Sequence, residues 1–137
     1  MKYLQKKTMK SISITIFFVF ALGFLGCVTG DGNDDDPIEK YLAIWQVSDQ
    51  PARLNYEVLI ERNPSNSTEI LLKNFADLGG TAIGLVVGNS VIIDKQTVKS
   101  GYQVEGTGTY IGSFKLQFDY ELDDGIDLEK RKSIFTK

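Results

Sequence analysis

The sequence contains no histidine and a single cysteine, Cys27, and these two shortages remove most familiar catalytic chemistry. Histidine is the commonest general base and metal ligand near neutral pH, so a Ser-His-Asp triad and a histidine metal site are excluded. One cysteine cannot form a disulfide within the chain or supply a zinc–thiolate cluster. We therefore expect a fold stabilised by apolar burial alone, with no enzymatic activity, no metal and no cofactor.

Paired carboxylates could still catalyse hydrolysis without histidine or cysteine. The candidate acids, however, alternate with apolar residues along predicted strands, and this alternation places them on a solvated face. Asp94, which follows Ile92 and Ile93, could point either way. The six acids assigned to the solvated face are Glu57, Glu61, Glu69, Glu105, Asp119 and Glu121.

The first 26 residues have the pattern of a secretory signal peptide. Lysines occupy positions 2, 6, 7 and 10, and an apolar run rich in Ile, Phe, Val and Leu follows over residues 12–25. A basic head before a short apolar run is typical of export signals. A stable transmembrane helix needs roughly 20 apolar residues, and this run is shorter.

The end of the apolar run, Phe24-Leu25-Gly26-Cys27, resembles the lipobox of bacterial lipoproteins. The resemblance implies cleavage before Cys27, lipid on its sulfur and acylation of the new amino terminus. Phe24 and Leu25 depart from the commonest residues at their positions. More than one acyl chain gives a stable membrane anchor, so the membrane is the first expected partner.

Residues 27–37 combine the expected lipidated cysteine with Gly, Asn and a run of Asp, a composition typical of a flexible tether. The acidic tract resembles the surface-export signal of Bacteroidetes-type lipoproteins. It implies an exported, lipid-anchored protein of the outer membrane, with the domain displayed on the cell surface or, as the alternative, facing the periplasm. Asp31, Asn33 and Asp35 have the spacing of calcium ligands but lack the EF-hand glycine and distal glutamate, so we expect no calcium site.

Residues 38–137 are predicted to form one domain, and the chain from residue 27 onward, tether included, is acidic. The first 26 residues hold four of the fifteen basic residues and none of the eighteen acidic ones. The remaining chain thus has eleven basic and eighteen acidic residues, for a net charge of −7. An acidic domain is a poor partner for nucleic acid.

Alternation of apolar and polar residues with a period of two dominates this domain and predicts antiparallel β-structure. Short Gly-, Asn- and Asp-rich links separate the runs, and short links force neighbouring strands to pair antiparallel. A long meander removes its exposed edges best by closing. We predict an all-β up-and-down barrel, with a β-sandwich as the alternative. The eight predicted strands lie near 41–48, 52–62, 68–76, 81–88, 91–97, 101–110, 113–122 and 131–136.

A small β-domain behind a lipobox and an acidic tether looks like the lipocalin-like lipoproteins of the Bacteroidetes type. Trp45, near the start of the first strand, resembles the lipocalin tryptophan that plugs one end of the barrel. Ala43 stands where that motif has glycine, and no closing arginine is identifiable. This resemblance implies a lipocalin-like, calycin-like barrel, and members of this type often have no known function.

Glycines alternate within the run Gly106-Thr107-Gly108, inside a predicted strand rather than before a helix. A phosphate-binding loop must open a helix, so this run is not one. Glycines that face inward indicate either a bend in the sheet or room for a ligand. Gly84 and Gly88 are interpreted in the same way.

Two functional hypotheses remain, one inside the barrel and one outside. The first is a binding module that holds a small apolar or amphipathic ligand, with a cavity lined by Tyr56, Val58, Val86, Val104, Phe118 and Tyr120. The second is an interaction module that binds a protein or glycan through its exposed face. Apolar residues in the outward phase motivate it, since an apolar outer patch often marks a partner site; they are Leu59, Leu71, Ile83, Leu85 and Val87.

Overall fold

The computed structural model describes residues 36–137, which form one compact unit. The expectations for the signal peptide, for lipidation of Cys27 and for the tether up to residue 35 lie outside the described residues. Asp36, at the end of the predicted tether, packs with the barrel, where its carboxylate pairs with Arg62.

Eight antiparallel strands form a meander that closes into a barrel, because β1 pairs with both β2 and β8. The predicted fold class is confirmed, and the sandwich alternative is wrong. Every strand prediction is met, with ends displaced by up to three residues. The strands are β1 Ala43–Gln50, β2 Leu54–Arg62, β3 Glu69–Lys73, β4 Thr81–Val87, β5 Ser90–Lys99, β6 Tyr102–Gly112, β7 Lys115–Asp123 and β8 Leu128–Thr136.

The chain enters the barrel through a short 3₁₀ helix, Glu39–Tyr41, that covers one end. The Asp36 carboxylate accepts a hydrogen bond from the Ile38 amide, which starts this turn. Tyr41 is fully buried and donates its hydroxyl to the Gly88 carbonyl in the β4–β5 turn. We call this the closed end.

Trp45 completes the closed end, as its resemblance to the lipocalin tryptophan implies. Its ring is fully buried, and its indole Nε1 donates to the Tyr41 carbonyl at 2.9 Å. The Lys137 ammonium lies 4.6 Å from the ring centroid, a cation–π contact. Lys137 thus places a cation over the Trp45 ring at the closed end.

The β3–β4 connection folds Phe75 into the barrel rather than leaving it outside. A second 3₁₀ turn, Phe75–Asp77, holds Ala76 at a φ of 58°, a left-handed conformation that costs free energy outside glycine. Phe75 and Ala76 are buried, and the Phe75 ring lies 4.8 Å from the Tyr120 ring and 5.9 Å from Phe118. Burial of this turn against the interior offsets its backbone strain.

The inward glycines make room for neighbouring groups of the chain itself. A Cβ atom at Gly108 would come within 2.3 Å of the Phe118 ring, and one at Gly84 within 2.5 Å of Val91. At Gly106 the β7 backbone approaches instead, with the Asp119 carbonyl 2.4 Å from such an atom. These positions therefore serve close strand approach and the packing of large side chains.

Two details of the sequence interpretation were wrong at turns. Gly88 is not an inward strand residue but lies in the two-residue β4–β5 turn with a φ of 59°, a left-handed conformation that glycine adopts readily. Phe114 falls within the predicted seventh strand, 113–122. It lies instead in the β6–β7 turn and is 70% exposed.

We predict that Gly108→Ala lowers the free energy of unfolding by about 1–3 kcal/mol, because the added methyl would overlap the Phe118 ring inside the packed interior. That ring is packed between Phe75 and Phe135, with centroids at 5.9 and 4.7 Å. Gly112→Ala is the matched control on the same strand, since nothing lies within 4 Å of its added methyl. Urea titration of both variants measures the difference, and equal stability would contradict this account of the interior.

Candidate functional site

The barrel interior contains a carboxylate that faces neither solvent nor the closed end. Trp45, Val47 and Asp49 occupy alternate positions of β1 and share its inward face, and Asp49 is fully buried. Ser133, its direct partner on β8, is also fully buried. Buried ionisable groups are rare unless partners compensate them.

Side chains from three other strands converge on the Asp49 carboxylate. Its Oδ2 accepts hydrogen bonds from the hydroxyl of Tyr56 on β2 at 3.0 Å and that of Tyr120 on β7 at 2.5 Å. Arg131 on β8 approaches the same oxygen at 3.5 Å and pairs through its Nη2 with Glu129 at 3.2 Å. We call Asp49, Tyr56, Tyr120, Arg131 and Ser133 the inner polar cluster.

The inner polar cluster is not satisfied by the protein alone. Asp49 Oδ1 and Arg131 Nε are buried without a hydrogen-bond partner. The buried Ser133 Oγ influences Tyr56 and Tyr120 but makes no bond to either with normal hydrogen-bond geometry. An unpaired buried polar group costs about 1–3 kcal/mol, and more when it is charged. Asp49 Oδ1 and Arg131 Nε therefore keep hydrogen-bonding capacity that the described part of the chain does not fill.

Burial keeps the two phenols of the cluster protonated. Removal from water is the main effect that raises the pKa of Tyr120 to about 12, and the bond to Asp49 adds to it. Burial also raises the pKa of Tyr56 strongly, reinforced by nearby Tyr120 and Asp49, while Ser133 opposes the shift weakly. Both hydroxyls therefore act as hydrogen-bond donors at neutral pH.

The guanidinium of Arg131 also keeps its charge. Burial alone would lower the pKa of Arg131, but the hydrogen bond to Glu129 and the charge of Asp49 raise it overall. The charged guanidinium therefore lies within salt-bridge distance of Asp49.

The cluster lies towards the barrel end opposite Trp45, which we call the mouth. Trp45 stands near the start of β1 and Asp49 near its end, so the cluster is displaced along the strand away from the closed end. A surface depression of about 390 Å³ reaches Gly106, Tyr120 and Arg131 between β6, β7 and β8. Another, of about 310 Å³, lies at the rim beside Tyr102 and Gly125. The first depression therefore adjoins two cluster members, Tyr120 and Arg131, on the outer wall of the barrel.

All six residues predicted to line a cavity are buried, and the structure brings two of them together around Asp49. Tyr56 and Tyr120 are both cluster members. Phe118 belongs instead to the aromatic stack with Phe75 and Phe135. Val58, Val86 and Val104 contribute apolar wall. Their role as ligand contacts stays a prediction.

Sequence reasoning missed Asp49, Arg131 and Ser133. The alternation along the strands did indicate that these residues face inward. Asp49 is four residues after Trp45 on β1, and Arg131 and Ser133 alternate with Phe135 on the same face of β8. A polar residue near a strand end is usually solvated, so the pattern alone did not distinguish a buried Asp from a frayed one.

The six acids assigned to the solvated face all escape burial, and Asp94 is exposed beside a register shift in β5. Within residues 36–137 there is no group of three or more acidic, histidine or cysteine side chains that could hold a metal ion. In the same range, no helix is long and apolar enough to cross a membrane.

The outer face carries an apolar stripe across neighbouring strands. Cross-strand partners Leu71 and Ile83 join β3 to β4, and Leu85 and Ile92 join β4 to β5. Ile83 and Val87 are 41 and 55% exposed, so the predicted outward phase of this set is correct. Leu59, Leu71 and Leu85 are half-buried.

The geometry defines a small up-and-down β-barrel, consistent with a lipocalin-like fold, that carries an incompletely paired polar cluster inside. Comparisons with protein families, curated proteins and solved structures found no match to this chain. Its function must therefore be argued from the barrel's own residues.

Tyr120 provides a test of the burial of this cluster at alkaline pH. Since its pKa is about 12 in the folded chain and near 10 when unfolded, its contribution to stability is complete below about pH 10 and is lost as the pH rises towards about 12. We expect Tyr120→Phe to remove up to about 2 kcal/mol of the alkaline decline in unfolding free energy. Urea titrations across this range measure the decline, and identical declines would place the Tyr120 hydroxyl in water.

Proposed function

We propose that this chain is an exported, lipid-anchored binding protein whose barrel holds a small amphipathic ligand at the inner polar cluster. The observation that supports the proposal is the set of buried, unpaired atoms of Asp49, Arg131 and Ser133 inside an otherwise apolar barrel. Ligand sites are typically apolar with a few convergent polar groups. A non-catalytic role fits a cluster whose carboxylate is already held by two phenols and a guanidinium.

The mouth supplies the apolar part of the proposed site. Val98, Val104 and Leu122 are buried beside the cluster side of the barrel, with Tyr102 partly buried against the same core. An apolar tail on these walls would place a polar head near Asp49. Phe75 packs against Tyr120. A ligand that reaches from the mouth walls to Asp49 therefore contacts the Phe75 ring or displaces it.

Native mass spectrometry of the chain from residue 28 tests the proposal. All eight strands and the barrel closure lie within residues 36–137, so this shorter chain contains the whole barrel. After gentle purification from a bacterial host we expect additional mass that is lost on denaturation. A bare mass, together with no binding of added amphiphiles, would contradict the proposal.

The anchoring part of the proposal depends on Cys27. We expect the full chain to incorporate labelled fatty acid in a bacterial host and to fractionate with membranes. Cys27→Ser should abolish both results, because the sulfur is the proposed site of lipid attachment. Ser48→Ala, on an exposed position of β1, is the control that leaves labelling intact. Labelling that survives Cys27→Ser would contradict the lipobox interpretation.

A second candidate function is an interaction module that uses the outer apolar stripe. Exposed apolar patches of this kind are uncommon on monomers and often mark partner sites. The exposure of Ile83 and Val87 favours it. In the same native mass spectrum, a dimer abolished by Ile83→Lys would favour the stripe over the interior as the functional surface.

A further inference from the structure

The inner polar cluster constrains the charge of the ligand as well as its position. Asp49 and Arg131 form an ion pair at 3.5 Å, and Arg131 is shared with Glu129. The two free atoms that could meet a ligand, Asp49 Oδ1 and Arg131 Nε, belong to these same paired groups. Any group bound to one of them therefore lies close to the opposite charge as well.

A charged head group fits this arrangement poorly. An ammonium at Asp49 Oδ1 would lie beside the Arg131 guanidinium, and a carboxylate at Arg131 Nε would lie beside Asp49. Like charges a few ångströms apart repel strongly away from bulk water. In addition, burying a net charge costs more than burying a neutral polar group.

A neutral group that both donates and accepts satisfies the free atoms without this repulsion. A hydroxyl donates to Asp49 Oδ1 and accepts from Arg131 Nε, and the free Ser133 hydroxyl can pair with a second one. The phenols of Tyr56 and Tyr120 already donate to Asp49 Oδ2, so they leave Oδ1 as the acceptor for the ligand.

Resting on the proposed function, we infer that the barrel selects a neutral, hydroxyl-bearing amphiphile, such as a long-chain alcohol or diol, over acids and amines of the same chain. Asp49 and Arg131 read the head group, and Ser133 contributes a further hydrogen bond. Val98, Val104 and Leu122 are the buried apolar side chains on the mouth side of the core, and they are the ones that the tail would contact.

Isothermal titration of the chain from residue 28 with three matched amphiphiles tests this inference. The three share one alkyl chain and end in a hydroxyl, a carboxylate or an ammonium group. We expect the alcohol to bind about tenfold more tightly than either ion, since one unsatisfied buried hydrogen bond costs about that factor. Equal affinities, or tighter binding of either ion, would overturn the head-group assignment while the binding function stands. Binding of none of the three would overturn both.

A substitution in the cluster that changes the order of the three affinities would show that the cluster, and not the barrel as a whole, causes the preference for the alcohol. Asp49→Asn keeps the shape but removes the anion facing Arg131, so the preference should shift from the alcohol towards the carboxylate. Asp119→Asn, an exposed acid on β7, is the control and should leave the ranking unchanged. An unchanged ranking in folded Asp49→Asn would show that Asp49 does not read the head group.

If the Asp49→Asn variant does not fold, Ser133→Ala serves instead. It should weaken diol binding more than alcohol binding, and an equal effect on both would contradict the role of Ser133.

Discussion

Pairing of β1 with β8 is the constraint on which the interior depends. This pairing closes the barrel and places Asp49 directly opposite Ser133. Because β8 also pairs with β7, Arg131 lies opposite Tyr120. Residues far apart in the sequence thereby meet around one carboxylate. Without closure the same strands would present Asp49 at a sheet edge, where water would satisfy it.

The interior is divided into two parts with different chemistry. Aromatic rings and a tryptophan fill the closed end and the middle, and inward glycines on β4 and β6 make room for them. The polar cluster occupies the side nearer the mouth. Dense packing at one end gives rigidity, while unpaired polar atoms at the other leave hydrogen bonds to be made. Such an arrangement places stability and recognition in separate regions of one small barrel.

Strand number, order and phase could be predicted from the sequence because each follows from local alternation and short turns. Leu116, Phe118, Tyr120 and Leu122 show this most clearly, since all four are buried on β7 as their spacing indicates. Closure was a weaker prediction, because a sandwich satisfies the same alternation and only long-range pairing distinguishes the two folds. Errors in strand bounds occurred where turn geometry interrupts the side-chain pattern, as at Gly88 and Phe114, which both lie in turns.

The inner polar cluster could be predicted only in part. Tyr56 and Tyr120 were identified as inward residues from their phase, but their shared partner Asp49 was not. An aspartate at an inward position near a strand end is either buried with a charged partner or solvated at a frayed end. Which of the two occurs depends on the residue that β8 places beside it. That partner, Arg131, lies 82 residues away, beyond the reach of local pattern.

A high-resolution crystal structure of the barrel grown with a long-chain alcohol would test most directly whether the cluster is a ligand site. The account predicts elongated density that begins within about 3 Å of Asp49 Oδ1 and Arg131 Nε and continues along the mouth walls. Isolated waters at all three free atoms, with the aromatic interior unchanged and no elongated density, would contradict it. In that case the cluster would be a hydrated structural element of the barrel.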